Sequence, residues 1–220
     1  MNLHPFVAAV ASLKFEDCFN PYSDRCEVHD RTDAPGRRGA MLSALVRSAE
    51  IKPIDAIWIG RDLGYRGGRR TGLALTDDVH IREHAKRWNI DLTPDRPTTG
   101  TAVAERTAAV IWGMLENIDA RIFLWNVFPL HPHERADPFT NRQHNTRERR
   151  AGEDILQHLI MLLRPSRIVA IGNDASRAAQ RVAHSLPIAS VRHPSYGGQT
   201  EFRTQISELY GVSPGNGLLL

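Results

Sequence analysis

The chain has 220 residues and a formal net charge of +3 at pH 7. At this length folding buries roughly 70% of the surface of the unfolded chain, so the hydrophobic core needs no disulfide or metal to support it. The sequence has no apolar run near the ~18 residues of a membrane span and no secretory signal peptide, so we expect a cytoplasmic protein without a membrane partner.

The sequence contains only two cysteines, Cys18 and Cys26, and the nearest histidine is His29. Structural zinc and iron–sulphur sites normally take four protein ligands at characteristic spacings, and these three residues supply too few. We therefore expect two reduced thiols, no bound metal and no cofactor.

Arginine dominates the basic residues: of the 28 lysines and arginines, only Lys14, Lys52 and Lys86 are lysines. The planar guanidinium group suits phosphate oxygens, which makes nucleic acid a natural partner. Codon bias in a GC-rich genome explains the same excess equally well.

The first 38 residues carry turn signals at residues 20–24 and 33–36, and we predict an irregular leader with room for one short helix. Apolar residues at helical spacing predict a helix over residues 39–49, and a buried strand follows at residues 56–59. A glycine- and arginine-rich loop then leads to a predicted helix over residues 79–89.

Helices and strands alternate in the rest of the sequence. Helices are predicted over residues 103–116 and 149–163, and a third, capped by Asp174, reaches about residue 184. Strands are predicted at residues 121–126, 167–172 and 188–191, and residues 128–147 are predicted to be a long surface excursion. This alternation predicts an α/β fold, a three-layer α/β/α sandwich around a mainly parallel four-stranded sheet, in a single domain over residues 1–220.

Three polar segments stand at the ends of the predicted strands. They are Gly60-Arg61-Asp62-Leu63-Gly64, Asn126, and His193-Pro194-Ser195. Because the carboxyl ends of parallel strands face one crevice, an acid, an amide and an imidazole from distant parts of the sequence are expected to meet there. Such a set of side chains indicates an active site.

At these segments the chain resembles the uracil-DNA glycosylase superfamily. Members carry a first motif such as GQDPY or GEAPG, a polar residue that ends a second strand, and a late His-Pro-Ser motif, and the similarity extends over roughly residues 55–205. The resemblance implies a DNA repair enzyme that flips uracil out of single- or double-stranded DNA, hydrolyses its N-glycosidic bond and leaves an abasic site as product. The cysteines of the iron–sulphur branches are absent, so a divergent branch without the cluster is implied, and we expect a monomer.

The resemblance also implies catalytic roles for two residues. Asp62 would orient a water molecule and stabilise the oxocarbenium-like sugar, and His193 would donate a hydrogen bond to the developing oxyanion at uracil O2. The alternatives are that Asp62 caps the following turn and that His193 makes a structural hydrogen bond.

Asn126 would read the N3–H and O4 groups of uracil together through its amide, although it could instead satisfy neighbouring backbone groups. Gly60 and Gly64 would allow a close approach of the backbone to the base. The resemblance places Leu75 where other members stack a phenylalanine on the base, so Tyr65 or Phe128 would have to supply a ring. The other predicted uracil-pocket residues are Arg61 and Leu63.

A further group of residues is expected to lie against the DNA and position its phosphates. Alternatives are that the arginines are simply solvated and that the serine caps a turn. Glu105 and Arg106, near the start of a predicted helix, are interpreted as structural. The predicted DNA-binding residues are Arg66, Arg69, Arg70, Arg192, Pro194, Ser195, Tyr196 and Gly197.

Two rival functions are kept. A nucleotide-cofactor enzyme is disfavoured because residues 64–68 do not fit the glycine spacing of a dinucleotide-binding turn or of a phosphate-binding loop. A non-catalytic protein that binds uracil or abasic DNA on the same fold is the second rival, and it would leave no alkali-labile site.

A lyase reaction would need an amine nucleophile. Only Lys52 lies near one of the three motifs, and it precedes the strand.

Overall fold

The computed structural model describes residues 2–90 and 96–213, so the ends of the predicted domain, Met1 and residues 214–220, lie outside it. In chain order the elements are α1 (Pro5–Ala11), β1 (Cys18–Phe19), α2 (Ala34–Glu50), β2 (Ala56–Asp62), α3 (Gly68–Thr71), α4 (Ile81–Arg87), α5 (Arg106–Leu115), β3 (Ile122–Phe128), β4 (His131–Pro132), α6 (Thr146–Leu163), β5 (Arg167–Ile171), α7 (Asn173–Val182), β6 (Ile188–Val191) and α8 (Gln199–Tyr210).

The main sheet has four parallel strands in the order β3-β2-β5-β6. β2 is central, and its residues pair with β3 on one side and β5 on the other. All three strand pairings are parallel, so the predicted parallel four-stranded sheet is confirmed. Parallel neighbours are usually joined by right-handed crossovers through helices.

Helices cover both faces of the sheet, as the three-layer prediction requires. Along β2, Ile57 and Ile59 pack into the cluster formed with α1, α2, α6 and α7, whereas Ala56 and Trp58 pack into the cluster formed with α5 and α8. Successive side chains of a strand point to opposite faces, so an unbroken apolar run is what a strand buried on both faces requires.

The first 38 residues contain one short helix, as the prediction allowed, but they also contribute to the core, and the last of them belong to α2. α1 buries Phe6 and Val10 in the core, and α2 begins at Ala34 rather than at residue 39. The turn predicted at residues 33–36 is in fact the first turn of α2, where the fixed φ angle of proline fits a helix.

The other boundaries differ from the predicted ones in ways that matter for the site. β2 extends to Asp62, so Asp62 is the last residue of a strand rather than part of the following loop, and β3 extends to Phe128, two residues beyond the predicted strand end at Asn126. α7 has Gly172 at its N-cap, and Asp174 lies in its first turn rather than capping it. α8, which buries Phe202 and Ile206, was not predicted.

Residues 129–145, the β3–α6 connection, are only partly a surface excursion. β4 within this connection pairs antiparallel with β1, and its His131 is fully buried. The connection ends at Asn145, whose side chain caps α6 in a reciprocal arrangement with Glu148. None of the helices in the described ranges is both long and apolar enough to cross a membrane.

Candidate active site

A cleft of about 510 Å³ opens at the carboxyl ends of the parallel strands. The three polar segments identified in the sequence all reach it. It is lined by Gly60, Arg61, Asp62, Leu63, Gly64, Gly68, Leu75, Glu105, Thr107, Asn126, Asn141, Arg142, Ile171, Gly172, Asn173, Asp174, Arg192, His193, Ser195 and Tyr196.

The amide of Asn126 is buried without a protein partner. Asn126 is 1% exposed, and in the part of the chain that the structure describes neither its Nδ2 nor its Oδ1 atom is hydrogen-bonded. Buried polar groups are nearly always paired, and leaving one unpaired costs about 1–3 kcal/mol. Because Asn126 also lines the cleft, its donor and acceptor are available to a bound molecule.

Gly60 provides the space that the Asn126 side chain occupies. The two residues are opposite each other in the β2–β3 register. A Cβ atom at residue 60 would stand 2.5 Å from Asn126 Oδ1 and 3.1 Å from Leu75 Cδ2. Glycine is therefore required here by close packing on the floor of the cleft.

Asp62, the last residue of β2, has both carboxylate oxygens engaged. Arg61 Nε donates to Asp62 Oδ2 at 2.6 Å, and His144 Nδ1 is hydrogen-bonded to Asp62 Oδ1. The Asp62 and His144 side chains are each only 5% exposed, whereas that of Arg61 is 40% exposed and also lies 3.7 Å from Asp174 Oδ2. The carboxylate is thus held from two sides.

His193 is oriented by the residue two positions later. The backbone N–H of Ser195 donates to His193 Nδ1 at 3.2 Å, and the Ser195 hydroxyl lies 2.7 Å from the same atom. An N–H group can only donate, so Nδ1 is an acceptor and the proton of the neutral ring is on Nε2. Burial, together with the positive charges of Arg61 and Arg192, lowers the pKa of His193 and favours this neutral form.

Leu75 lies beside Gly60 at the floor of the cleft, with a positive φ angle of 55°. Its carbonyl oxygen accepts a hydrogen bond from Trp112 Nε1 at 3.2 Å, which holds this sparsely populated backbone conformation. The rings considered as substitutes for a stacking phenylalanine do not line the cleft: Phe128 is fully buried in the core, and the Tyr65 hydroxyl contacts Arg66.

Two arginines that were predicted to bind DNA are structural instead. Arg69 and Arg70 are each 5% exposed. The Arg69 guanidinium lies over the Phe19 ring at 4.1 Å, and that of Arg70 pairs with the buried Asp78 at 2.7 Å. Arg70 is ion-paired in the interior. Arg69 is packed against aromatic rings, and its Nε has no hydrogen-bond partner among the described residues. Both side chains are too buried to position phosphates as predicted.

The remaining predicted DNA-binding residues lie at or near the mouth of the cleft, with one exception. Arg66, Arg192 and Gly197 are exposed, and Tyr196 is 97% exposed with a positive φ angle of 52°. Pro194, by contrast, is buried, so a direct contact between this residue and DNA is no longer expected.

Glu105, interpreted as structural from the sequence, presents its carboxyl group to the cleft. The group lies under the glycine-rich loop: Cβ atoms at residues 64 and 67 would stand 3.0 and 2.0 Å from its two oxygens. Burial, followed by the charge of Asp77, raises the pKa of Glu105 to about 7. A carboxyl group that titrates near neutrality can donate or accept a hydrogen bond.

Other lining residues were also missed by sequence reasoning. Asn173 and Asp174 begin α7, one residue after the end of β5, so the strand-end argument that found Asp62 could have found them as well. Asn141, Arg142 and the Asp62 partner His144 come from the β3–α6 connection, and nothing in the local sequence indicates which strand end it reaches.

Within residues 2–90 and 96–213, no group of three or more His, Cys, Asp or Glu side chains is arranged to hold an ion. Both cysteines are free thiols, and burial, together with Glu148, raises the pKa of Cys18 to about 12, which keeps that thiol protonated.

Comparisons with known proteins bear on the family and the fold of the chain. A family model described as the uracil DNA glycosylase superfamily matches residues 59–209. The crystal structure of SMUG2 from Pedobacter heparinus superposes with a TM-score of 0.57 at 14% identity, over 94% of this chain and 95% of that chain, which shows a shared fold. UNG from Nitratifractor salsuginis gives a TM-score of 0.46 at 16% identity, over 80% of this chain and 77% of that chain. No curated protein sequence matches the chain significantly.

Proposed function

Since the chain belongs to the uracil DNA glycosylase superfamily and is therefore a DNA glycosylase, we propose that it removes uracil from DNA by hydrolysis and leaves an abasic site. The observation that carries this proposal is the unpaired amide of Asn126 in a cleft that also contains Asp62 and His193.

The Asn126 amide matches one edge of uracil. Its Oδ1 would accept a hydrogen bond from uracil N3–H, and its Nδ2 would donate to uracil O4. The free-energy cost of burying both groups unpaired is recovered when a base with this donor and acceptor enters the cleft. In duplex DNA the base must first flip out of the stack, which costs a few kcal/mol.

His193 would stabilise the departing base. When the C1′–N1 bond breaks, its electron pair stays with uracil, and negative charge develops on O2. A neutral imidazole with its proton on Nε2 can donate to this oxygen, and a preorganised donor of this kind contributes a few kcal/mol to the transition state. The hydrogen bond from Ser195 to Nδ1 fixes the required tautomer.

Asp62 would act on the sugar. Its carboxylate stabilises the positive charge that builds up at C1′, and it orients a water whose oxygen bonds to C1′ while its proton is lost to the carboxylate. Among the described residues that line the cleft there is no lysine, which supports hydrolysis without a Schiff base. Arg66, Arg192 and Tyr196 at the mouth are proposed to contact the DNA.

The test is a single-turnover assay on end-labelled oligonucleotides that contain one uracil, single- and double-stranded, followed by alkali. The wild type is expected to yield alkali-labile sites, and Asp62→Asn and His193→Ala are expected to be slower by about 10²–10³-fold because each loses a transition-state contact. Asp154→Asn, an exposed carboxylate on α6, is the matched control.

Two results would contradict the proposal. Unaltered excision rates in both Asp62→Asn and His193→Ala would contradict the catalytic roles proposed for these two residues. A gel shift on uracil DNA without any cleavage by the wild type would instead support the non-catalytic binding protein.

A further inference from the structure

His144 belongs to no motif of the sequence, yet it is a direct partner of Asp62. It reaches the end of β2 from the β3–α6 connection, 82 positions further along the chain. Its ring is edge-on to Phe128 with centroids 6.1 Å apart, and its side chain is 5% exposed. A polar ring in such a position needs a partner, and Asp62 Oδ1 is the partner it has.

The backbone around His144 is held in place on both sides. The next residue, Asn145, caps α6, and its own N–H donates to Glu148 Oε2 at 2.7 Å. Two positions before His144, Arg142 donates to both Glu148 oxygens at 2.7 and 2.8 Å. These contacts fix the position of the ring before any ligand is present.

The two partners of Asp62 differ in how firmly they can hold it. Arg61 is 40% exposed and is shared with Asp174, so DNA phosphates can compete for its charge. The His144 side chain is almost completely buried, and among the described residues its ring has no hydrogen-bond partner other than Asp62. The orientation of the carboxylate therefore depends chiefly on His144.

The geometry points to His144 as the positioning residue of Asp62: its Nδ1–H donates to Oδ1, fixes the rotation of the carboxylate, and directs the free lone pairs toward the attacking water. This inference rests on the proposed role of Asp62. Outer partners of this kind typically change activity by about 10–100-fold when removed.

Two substitutions separate positioning from mere packing. In His144→Ala the hydrogen bond to Asp62 is lost, whereas in His144→Asn the side-chain Nδ2 can stand near the place of Nδ1 and donate to Oδ1. We expect single-turnover excision to fall about 10–100-fold in His144→Ala, with affinity for uracil DNA within about twofold, and to recover most of the loss in His144→Asn. His184→Ala, an exposed histidine after α7, is the matched control.

The double variant Asp62→Asn/His144→Ala tests whether the two residues act together. If His144 works through Asp62, the double variant is no slower than Asp62→Asn alone, because the loss has already occurred. Additive losses, or a His144→Asn variant as slow as His144→Ala, would overturn the inference.

A spectroscopic measurement tests the hydrogen bond between His144 and Asp62 without any reaction. The ring ¹⁵N resonances of His144 should report a proton on Nδ1 in the wild type and should shift in Asp62→Asn, while those of His184 stay unchanged. Unmoved His144 resonances would overturn the inference even if excision is normal. Absence of excision in a wild type whose His144 resonances do respond would contradict the proposed function and leave the pair intact.

Discussion

Gly60 and Asn126 face each other across adjacent parallel strands, and the side-chain oxygen Oδ1 of Asn126 occupies the space where a side chain at residue 60 would begin. Both residues lie within strands, so neither backbone can move aside easily. The position of the amide is thus set by the sheet rather than by a loop.

Gly60→Ala should therefore damage the site more than the fold. The added Cβ, 2.5 Å from Asn126 Oδ1, must displace the amide, and a displacement of about 1 Å can cost 10²-fold in rate. We expect single-turnover excision of uracil to fall by about that factor. Gly113→Ala, where no atom lies within 4 Å of the new Cβ, is the control and should keep the wild-type rate. Equal rates in both variants would contradict the packing argument.

Asn126→Leu should separate stability from activity. The unpaired amide destabilises the folded state. An apolar side chain of similar size should therefore leave the free energy of unfolding unchanged or raise it by about 1 kcal/mol. Excision should be lost because leucine cannot make the two hydrogen bonds that the Asn126 amide is proposed to make with uracil. Urea denaturation and the excision assay measure the two effects, and a large loss of stability would mean that the amide has a structural partner.

Glu105→Gln should change how stability depends on pH. The pKa of Glu105 is about 7 in the folded protein against a reference value of 4.5. Between these values the unfolded chain ionises first, so the wild type loses stability as the pH rises from 4.5 to 7. Relative to wild type, Glu105→Gln should gain up to about 3 kcal/mol by pH 8 and nothing at pH 4.

The control for Glu105 is Glu208→Gln, because Glu208 is exposed on α8. Urea denaturation of the three proteins at pH 4, 6 and 8 gives the comparison. A difference between Glu105→Gln and wild type that does not vary with pH would show that Glu105 ionises in the folded protein as it does in the unfolded chain.

Tyr196→Ala should weaken DNA binding without affecting the fold. The ring is 97% exposed next to His193 and Ser195, and an aromatic ring that stacks on a base contributes about 1–3 kcal/mol. We expect affinity for uracil DNA to fall several-fold or more, with an unchanged melting temperature. Thr200→Ala, exposed in the following helix, is the control, and equal affinities in the two variants would place Tyr196 outside the interface.

The sheet and the strand-end residues could be predicted because the information is local. Apolar runs such as Ile57 to Ile59 identify buried strands, and in a parallel sheet the residues after such runs share one edge. Asp62, Asn126 and His193 were found by this argument, and the structure brings all three into one cleft.

The residues that were misassigned or missed depend on distant partners. Arg69 and Arg70 look like surface arginines in the sequence, and only the folded chain brings the Phe19 ring and Asp78 to their guanidinium groups. His144 is likewise defined by Asp62. An interaction between residues this far apart leaves no periodic pattern or spacing that a single sequence can reveal.

The order in which the site residues occur along the chain has a consequence for biosynthesis. Asp62 is made first, its partner His144 much later, and His193 with its orienting Ser195 later still, just before α8. Because domains fold as their residues leave the ribosome, a nascent chain contains no complete cleft until the residues up to Tyr196 have been synthesised. Unfinished chains should therefore be unable to break glycosidic bonds in DNA.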